Sequence, residues 1–225
     1  METTLHQQLK TLYATGDQKE VTLDQYRIDA IDEQGRLVEV QCAGLSAIRD
    51  KIRKLVKSHD VVVVKPIIMR KTLVKRNRKR GKIVSRRKSP SKGDVLDLFD
   101  DLIHFCTVFP HDRLTLELAF VEIEEHRLPP LKKRWTRKRY RVEDRVLLDV
   151  IDRVQLTKAT DLNDLLPNGL PVGSFTTREL AEQIDQPRWI AQKVAYCLRK
   201  TGAVEAVGKQ RNAIVYQEAT TRKAA

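Results

Sequence analysis

The chain has 225 residues, 41% of them apolar, a net charge of +13 and an isoelectric point near 9.8. That is enough chain for one large or two modest cores, and the basic balance points to a polyanionic partner, with nucleic acid the default. The longest apolar runs, such as Val61 to Val64, are too short to span a bilayer, and the N-terminus has no basic region followed by an apolar core. A cytoplasmic, prokaryotic protein with no membrane partner is therefore expected. Cys42, Cys106 and Cys197 are far apart and form no Cys-x-x-Cys pair, which implies a reducing compartment and excludes a zinc cluster.

The positive charge is local. Twelve Lys or Arg lie between Arg70 and Lys92 and seven more between Lys132 and Arg141, with no acid in either block; the other 24 basic residues face 30 acids. Two concentrated blocks favour specific contact surfaces over general solubility.

From the N-terminus, Leu5, Leu9, Leu12 and Tyr13 recur at helical spacing, with Thr3 or Thr4 as a cap. Gly16-Asp17 breaks that helix, and residues 20–24 have strand composition. Tyr26 to Gly44 reads as a hairpin. The loop Asp32-Glu-Gln-Gly-Arg36 places Gly35 where a left-handed backbone is needed, and this fixes the register. Residue 31 then faces 37, 30 faces 38, 29 faces 39 and 28 faces 40, so Ile28, Ala30, Val38 and Val40 share an apolar face. The same register sets Asp29 against Glu39, and like charges across a ladder repel unless a cation intervenes. Magnesium or manganese would supply one, because hard oxygen ligands suit those ions.

An Asp on one strand followed across a turn by Glu39-x-Gln41 resembles the PD-(D/E)XK nuclease superfamily. The resemblance implies a restriction-endonuclease-like α/β domain on a mixed sheet. It also implies that Asp29 and Glu39 hold Mg2+ or Mn2+, and that the third catalytic position, usually Lys and here Gln41, orients the attacking water. The whole chain is similar to a prokaryotic family that joins such a core to a helix-turn-helix.

A helix from Leu45 to about Lys57 and a buried strand from Asp60 to Ile67 complete the helix, strands, helix, strand order of that core. Residues 70–92 read as a basic hairpin, a grip for a phosphate backbone through Arg78, Lys79, Arg80, Lys82, Arg86 and Arg87. A helix is expected from Asp94 to about Phe109 and a strand from Leu114 to Val121, followed by Glu122, Glu124 and Glu125, which either join the metal site or balance the basic blocks. The first domain therefore spans residues 1–128.

Residues 129–141 read as a basic linker in which Trp135 and Tyr140 offer rings for stacking on bases. The second domain, residues 142–220, opens with a helix over 142–156, carrying Val146, Leu147, Val150, Ile151 and Val154, and a shorter one over 159–166. Thr176-x-x-Glu179 is a capping box, Pro187 opens the next helix and Gly202 ends it. This module resembles a winged helix-turn-helix. Residues 187–201 would be the recognition helix, with Arg188, Gln192, Lys193, Tyr196, Arg199 and Lys200 on its polar face, and residues 208–212 the wing, tipped by Lys209 and Arg211. The implied partner is double-stranded DNA, with a second copy of the chain a compatible one. Two functions follow: a metal-dependent DNA endonuclease, or a DNA-binding regulator that keeps a nuclease-like scaffold.

Overall fold

A computed structural model of the chain describes residues 2–130 and 140–219. Its elements begin with α1 (Thr4–Tyr13), β1 (Lys19–Leu23), β2 (Tyr26–Ile31), β3 (Leu37–Val40), α2 (Arg49–Leu55) and β4 (Val61–Arg76). β5 (Ile83–Lys88), α3 (Leu98–Leu102), β6 (Leu114–Leu128) and β7 (Arg141–Leu156) follow. The chain closes with β8 (Phe175–Thr176), α4 (Thr177–Gln183), α5 (Arg188–Thr201), β9 (Val204–Gln210) and β10 (Ala213–Glu218). The protein is mixed α/β. Among the described residues one sheet has seven strands, in the order β1-β2-β3-β4-β6-β7 with β5 on β4, and a second has three, in the order β8-β10-β9.

Two compact units interleave along the chain. The first is Met1–Cys42, Val62–Asp94 and Glu117–Val154; the second is Ala43–Val61, Val95–Leu116 and Gln155–Ala225. The sequence-based division instead sets consecutive boundaries near 128 and 142. Among the described residues no helix is long and apolar enough to cross a membrane.

In the first unit, Thr3 caps α1 by accepting the His6 amide at 3.4 Å. Helical spacing turns Leu5 and Leu9 onto the sheet, where they pack against Ala30, Val38, Val40, Val62, Val64, Ala119, Val121 and Ile123. Residues 61–67 of β4 are buried without alternation, as a strand covered on both faces requires. β4 and β6 both run longer than their apolar stretches predict. β4 continues into the basic hairpin, and Glu122, Glu124 and Glu125 lie within β6 rather than after it.

The expected helix over 142–156 is a correction: these residues form strand β7, at the edge of the first sheet. The spacing of Val146, Leu147, Val150, Ile151 and Val154 fits a helical stripe, but four of the five are β-branched, and such side chains favour a pleated surface. Leu147 and Val150 pack against the core. The charges between them blunt the open edge against pairing with other chains.

In the second unit the expected helix from Asp94 to Phe109 shortens to a 3-10 turn and α3, and the one over 159–166 to a 3-10 turn at Ala159–Leu162. The C-terminal part follows the sequence more closely. Glu179 accepts from the Thr176 amide at 2.6 Å and from its hydroxyl at 2.9 Å, closing the capping box of α4. Pro187 is the N-cap of α5, one residue before the position expected, and Gly202 ends that helix at φ +85, where a side chain would be strained. Leu180, Ile184, Ala191, Val194, Leu198 and Val204 are buried, and the Phe175 and Tyr216 rings lie 6.0 Å apart.

Thr176→Ala removes one arm of the box that starts α4. Urea denaturation is expected to show a loss of about 1 kcal/mol, with the slope of the transition unchanged.

Candidate functional site

The acidic hairpin has the register read from its sequence: Ala30 pairs with Val38 and Ile31 with Leu37. Gly35 sits at φ +76, and its amide donates to the Asp32 carbonyl at 3.0 Å. The Asp32 carboxylate accepts from the amides of Gln34 and Arg36 at 3.0 and 2.9 Å and from the Arg36 guanidinium at 2.8 Å, so the turn is held from within. Ile28, Ala30, Val38 and Val40 are all buried. On the opposite alternation Asp29 is largely buried, Glu39 is only 4% exposed, and the backbone N–H of Gln41 donates to the Val64 carbonyl at 2.8 Å.

The cation beside Asp29 comes from the chain itself. His6 and Lys10 are four residues apart on α1, a spacing that stacks side chains on one helix face, and Glu2 lies just before the helix. The Lys10 ammonium lies 2.7 Å from Glu2, 3.0 Å from Asp29 and 3.2 Å from Glu20. His6 Nδ1 meets Glu2 at 2.8 Å, while Nε2 lies 3.3 Å from Asp29 and 2.7 Å from the Val40 carbonyl. The Val40 amide adds a hydrogen bond to Asp29 at 2.9 Å. Glu20 is paired in turn with Arg27.

The ionisation of this cluster follows from its contacts. Burial pushes the Asp29 carboxyl up, but the His6 hydrogen bond, the Val40 amide and Lys10 outweigh it and hold the pKa at about 2. Burial also works against the Lys10 ammonium, yet Glu2, Asp29 and Glu20 together raise its pKa. The Asp29 hydrogen bond raises His6 against the effect of its own burial.

The residues present do not fit the expected metal. Both Asp29 oxygens are engaged by groups of the chain, and among the described residues no set of three or more His, Cys, Asp or Glu side chains is arranged to hold an ion.

The basic hairpin forms as expected. β4 and β5 pair from Thr72 with Lys88 to Arg76 with Ile83, and β5 is exposed along its whole length. Acids of β6 hold its base: Glu122 lies 3.7 Å from Arg70, Glu125 lies 3.8 Å from Lys71, and Glu124 pairs with Arg86. Glu125 also meets Arg127 at 2.6 Å and Arg145 at 3.4 Å. These acids balance basic residues rather than join a metal site. At the tip, Arg78, Lys79, Arg80 and Lys82 are exposed and, among the described residues, in no ion pair; Arg87 is exposed on β5.

In the second unit α5 exposes Arg188, Gln192, Tyr196, Arg199 and Lys200. Lys193 is half-buried and paired with Asp100 of α3, and its ammonium also lies 4.5 Å from the centre of the Trp189 ring. Lys200 stands 6.0 Å over Tyr196. Lys209 lies near the end of β9, and Arg211 occupies the turn at φ +54, so the loop before β10 is tighter than residues 208–212. Trp189 is 57% exposed and was missed by the sequence reading. Its place on the Lys193, Tyr196 and Lys200 stripe is the spacing signal that would have found it. Trp135 lies outside the described residues, whereas Tyr140 is within them and stacks under the Arg127 guanidinium at 3.7 Å rather than standing free.

A family model described as a domain of unknown function, DUF8091, matches residues 3–157, more than half of the chain. The chain belongs to DUF8091. The match runs from α1 to the end of β7, so the DUF8091 region contains the acidic hairpin and the basic hairpin and stops before β8. An uncharacterized protein of Treponema pallidum (strain Nichols) is 29% identical over 171 residues, which cover 76% of this chain and 68% of the relative. No solved structure matches.

Lys10→Met leaves three carboxylates around an apolar side chain, and urea unfolding at neutral pH is expected to show a loss of about 3 kcal/mol. The Asp29 pKa is depressed from 3.8, so its stabilisation is complete above that pH and fades as the pH falls through about 2. The share lost is about 2 kcal/mol. Asp29→Asn should flatten this acid limb of the stability profile, read by urea titration across the same range.

Proposed function

We propose that this DUF8091 protein binds double-stranded DNA through two surfaces, the tip of the basic hairpin and the outer face of α5. The first unit serves as a restriction-endonuclease-like scaffold, and the C-terminal module acts as a winged helix-turn-helix. The observation that carries the reading is the hairpin tip: four exposed cations, free of ion pairs among the described residues, on a two-stranded stem. Such an array neutralises phosphates and releases their counterions. The order of elements supports the scaffold, since α1, β1, β2, β3, α2 and β4 repeat the helix, strands, helix, strand pattern, with Asp29 on β2 and Glu39 on β3. The order β8-α4-α5-β9-β10, with β10 between β8 and β9, supports the winged module. In it α5 would lie in the major groove, where Arg188 and Gln192 can reach base edges.

The Asp29 cluster is structural in this reading: it ties α1 to the hairpin. The second reading, a metal-dependent endonuclease, draws on the placement of Asp29 and Glu39 on paired strands. It requires Lys10 to give up Asp29 to a metal ion.

Fluorescence anisotropy with a labelled duplex over a salt series tests the proposal. Binding should weaken steeply with salt, and replacing Arg78, Lys79, Arg80 and Lys82 together by alanine should reduce the slope by about 3 to 4. Arg188→Ala is expected to cost about 1–3 kcal/mol on a preferred sequence. Asp29→Asn and Glu39→Gln should leave binding intact. Failure to bind duplex, or a preference for structured RNA in competition, overturns the proposal. Magnesium-dependent cleavage lost with Asp29→Asn would establish the endonuclease instead.

A further inference from the structure

Cys106 and Cys197 are far apart in the sequence, yet the second unit brings their thiols together. Cys106 follows α3 and donates its thiol to the Leu102 carbonyl at 3.0 Å. Cys197 lies on the inner face of α5 and donates to the Phe99 carbonyl at 3.7 Å. Both acceptors belong to the single short helix α3, one helical turn apart, and the two sulfurs lie close enough to interact. Cys106 is half-buried and Cys197 fully buried, so a small solute can reach the first and not the second. No feature of the DNA-binding reading uses either sulfur.

We propose that Cys106 and Cys197 form an oxidisable dithiol that closes to an intramolecular disulfide when a peroxide reaches Cys106, covalently joining α5 to the segment that follows α3. The Cys106 thiolate attacks one peroxide oxygen; the O–O bond breaks, a sulfenic acid forms, and the departing hydroxide takes up a proton to leave as water. The Cys197 sulfur then attacks the sulfenic sulfur. The S–S bond forms, the S–O bond breaks, and the hydroxyl group leaves as water with the Cys197 proton. The two thiols give up two electrons and the peroxide accepts them.

The surroundings assign the roles. Cys106 is the more exposed of the two, and the contact with Cys197 lowers its thiol, against burial and with help from Lys200, which makes Cys106 the nucleophile. The same contact, together with burial, raises Cys197, which suits a residue that acts second. Cys42 belongs to the first unit, and burial pushes its thiol up to about 11, so it stays reduced and serves as an internal reference.

The test uses the full chain, treated with hydrogen peroxide, alkylated and mapped by mass spectrometry. A peptide bridged between Cys106 and Cys197 is expected, with Cys42 alkylated and the bridge reversed by dithiothreitol. The urea midpoint of the oxidised protein should be higher than that of the reduced protein, because the bridge closes a long loop in the unfolded chain. In Cys197→Ala, Cys106 should stop at the sulfenic acid and be trapped by dimedone; in Cys106→Ala, no sulfenic acid should form. The wild-type peptide map needs no variant to fold. Both thiols alkylated after peroxide, a bridge that includes Cys42, or a bridge between two chains overturns the proposal. None of these readouts depends on DNA binding.

Discussion

An ammonium largely removed from water is costly unless negative charge is brought to it, and the first unit is built around meeting that cost for Lys10. Three carboxylates from three different places, Glu2 before α1, Glu20 on β1 and Asp29 on β2, converge on one nitrogen. Each sits where its backbone element holds it, so the ion pair fixes the approach of α1 to the first two strands. The apolar contacts of Leu5 and Leu9 supply attraction without direction; the ammonium supplies the direction. His6 adds a second tie, one ring nitrogen to Glu2 and the other beside Asp29 and the Val40 carbonyl.

The sequence was legible where a local period decides the structure. The pairing of Ala30 with Val38 followed from a loop of known length and from side chains that alternate, and the capping box and Gly202 announced their helix ends within a few residues. It was less legible where a distant partner decides. The expected register called for positive charge beside Asp29, but nothing in the hairpin shows that α1 would bring Lys10 to it. A metal was the local answer and an ammonium the tertiary one. β7 failed for a different reason: its apolar spacing satisfies a helix, and only the sheet edge available to it turns the β-branched content into the stronger term. Cys106 and Cys197 met for reasons that no spacing rule contains.

The charge of the molecule is sorted rather than spread. Acids on β6 neutralise the base of the hairpin and leave its tip uncompensated among the described residues, so the positive field is strongest at the tip. On α5 the sorting runs the other way, because Lys193 is committed to Asp100 and to the Trp189 ring. That face offers aromatic surface and hydrogen-bond donors around a cation already in use. The two surfaces therefore differ in kind, one a dense point of charge and the other a mixed polar and aromatic strip.

The interleaving of the two units also governs how the protein can be made. A chain emerging from the ribosome exposes Asp100 long before Lys193, its partner 93 residues on, and Phe99 before Cys197, 98 residues on. The segments 43–61 and 95–116 belong with the segment that starts at Gln155, so the second unit cannot close until that later segment has been made. The first unit waits as well, for β6 and β7. Closing such separated segments carries a loop-entropy cost before any contact repays it, which slows folding. Until then the apolar residues of α3, Leu98, Phe99 and Leu102, stay exposed on a nascent chain, in a period when aggregation or chaperone capture competes with folding.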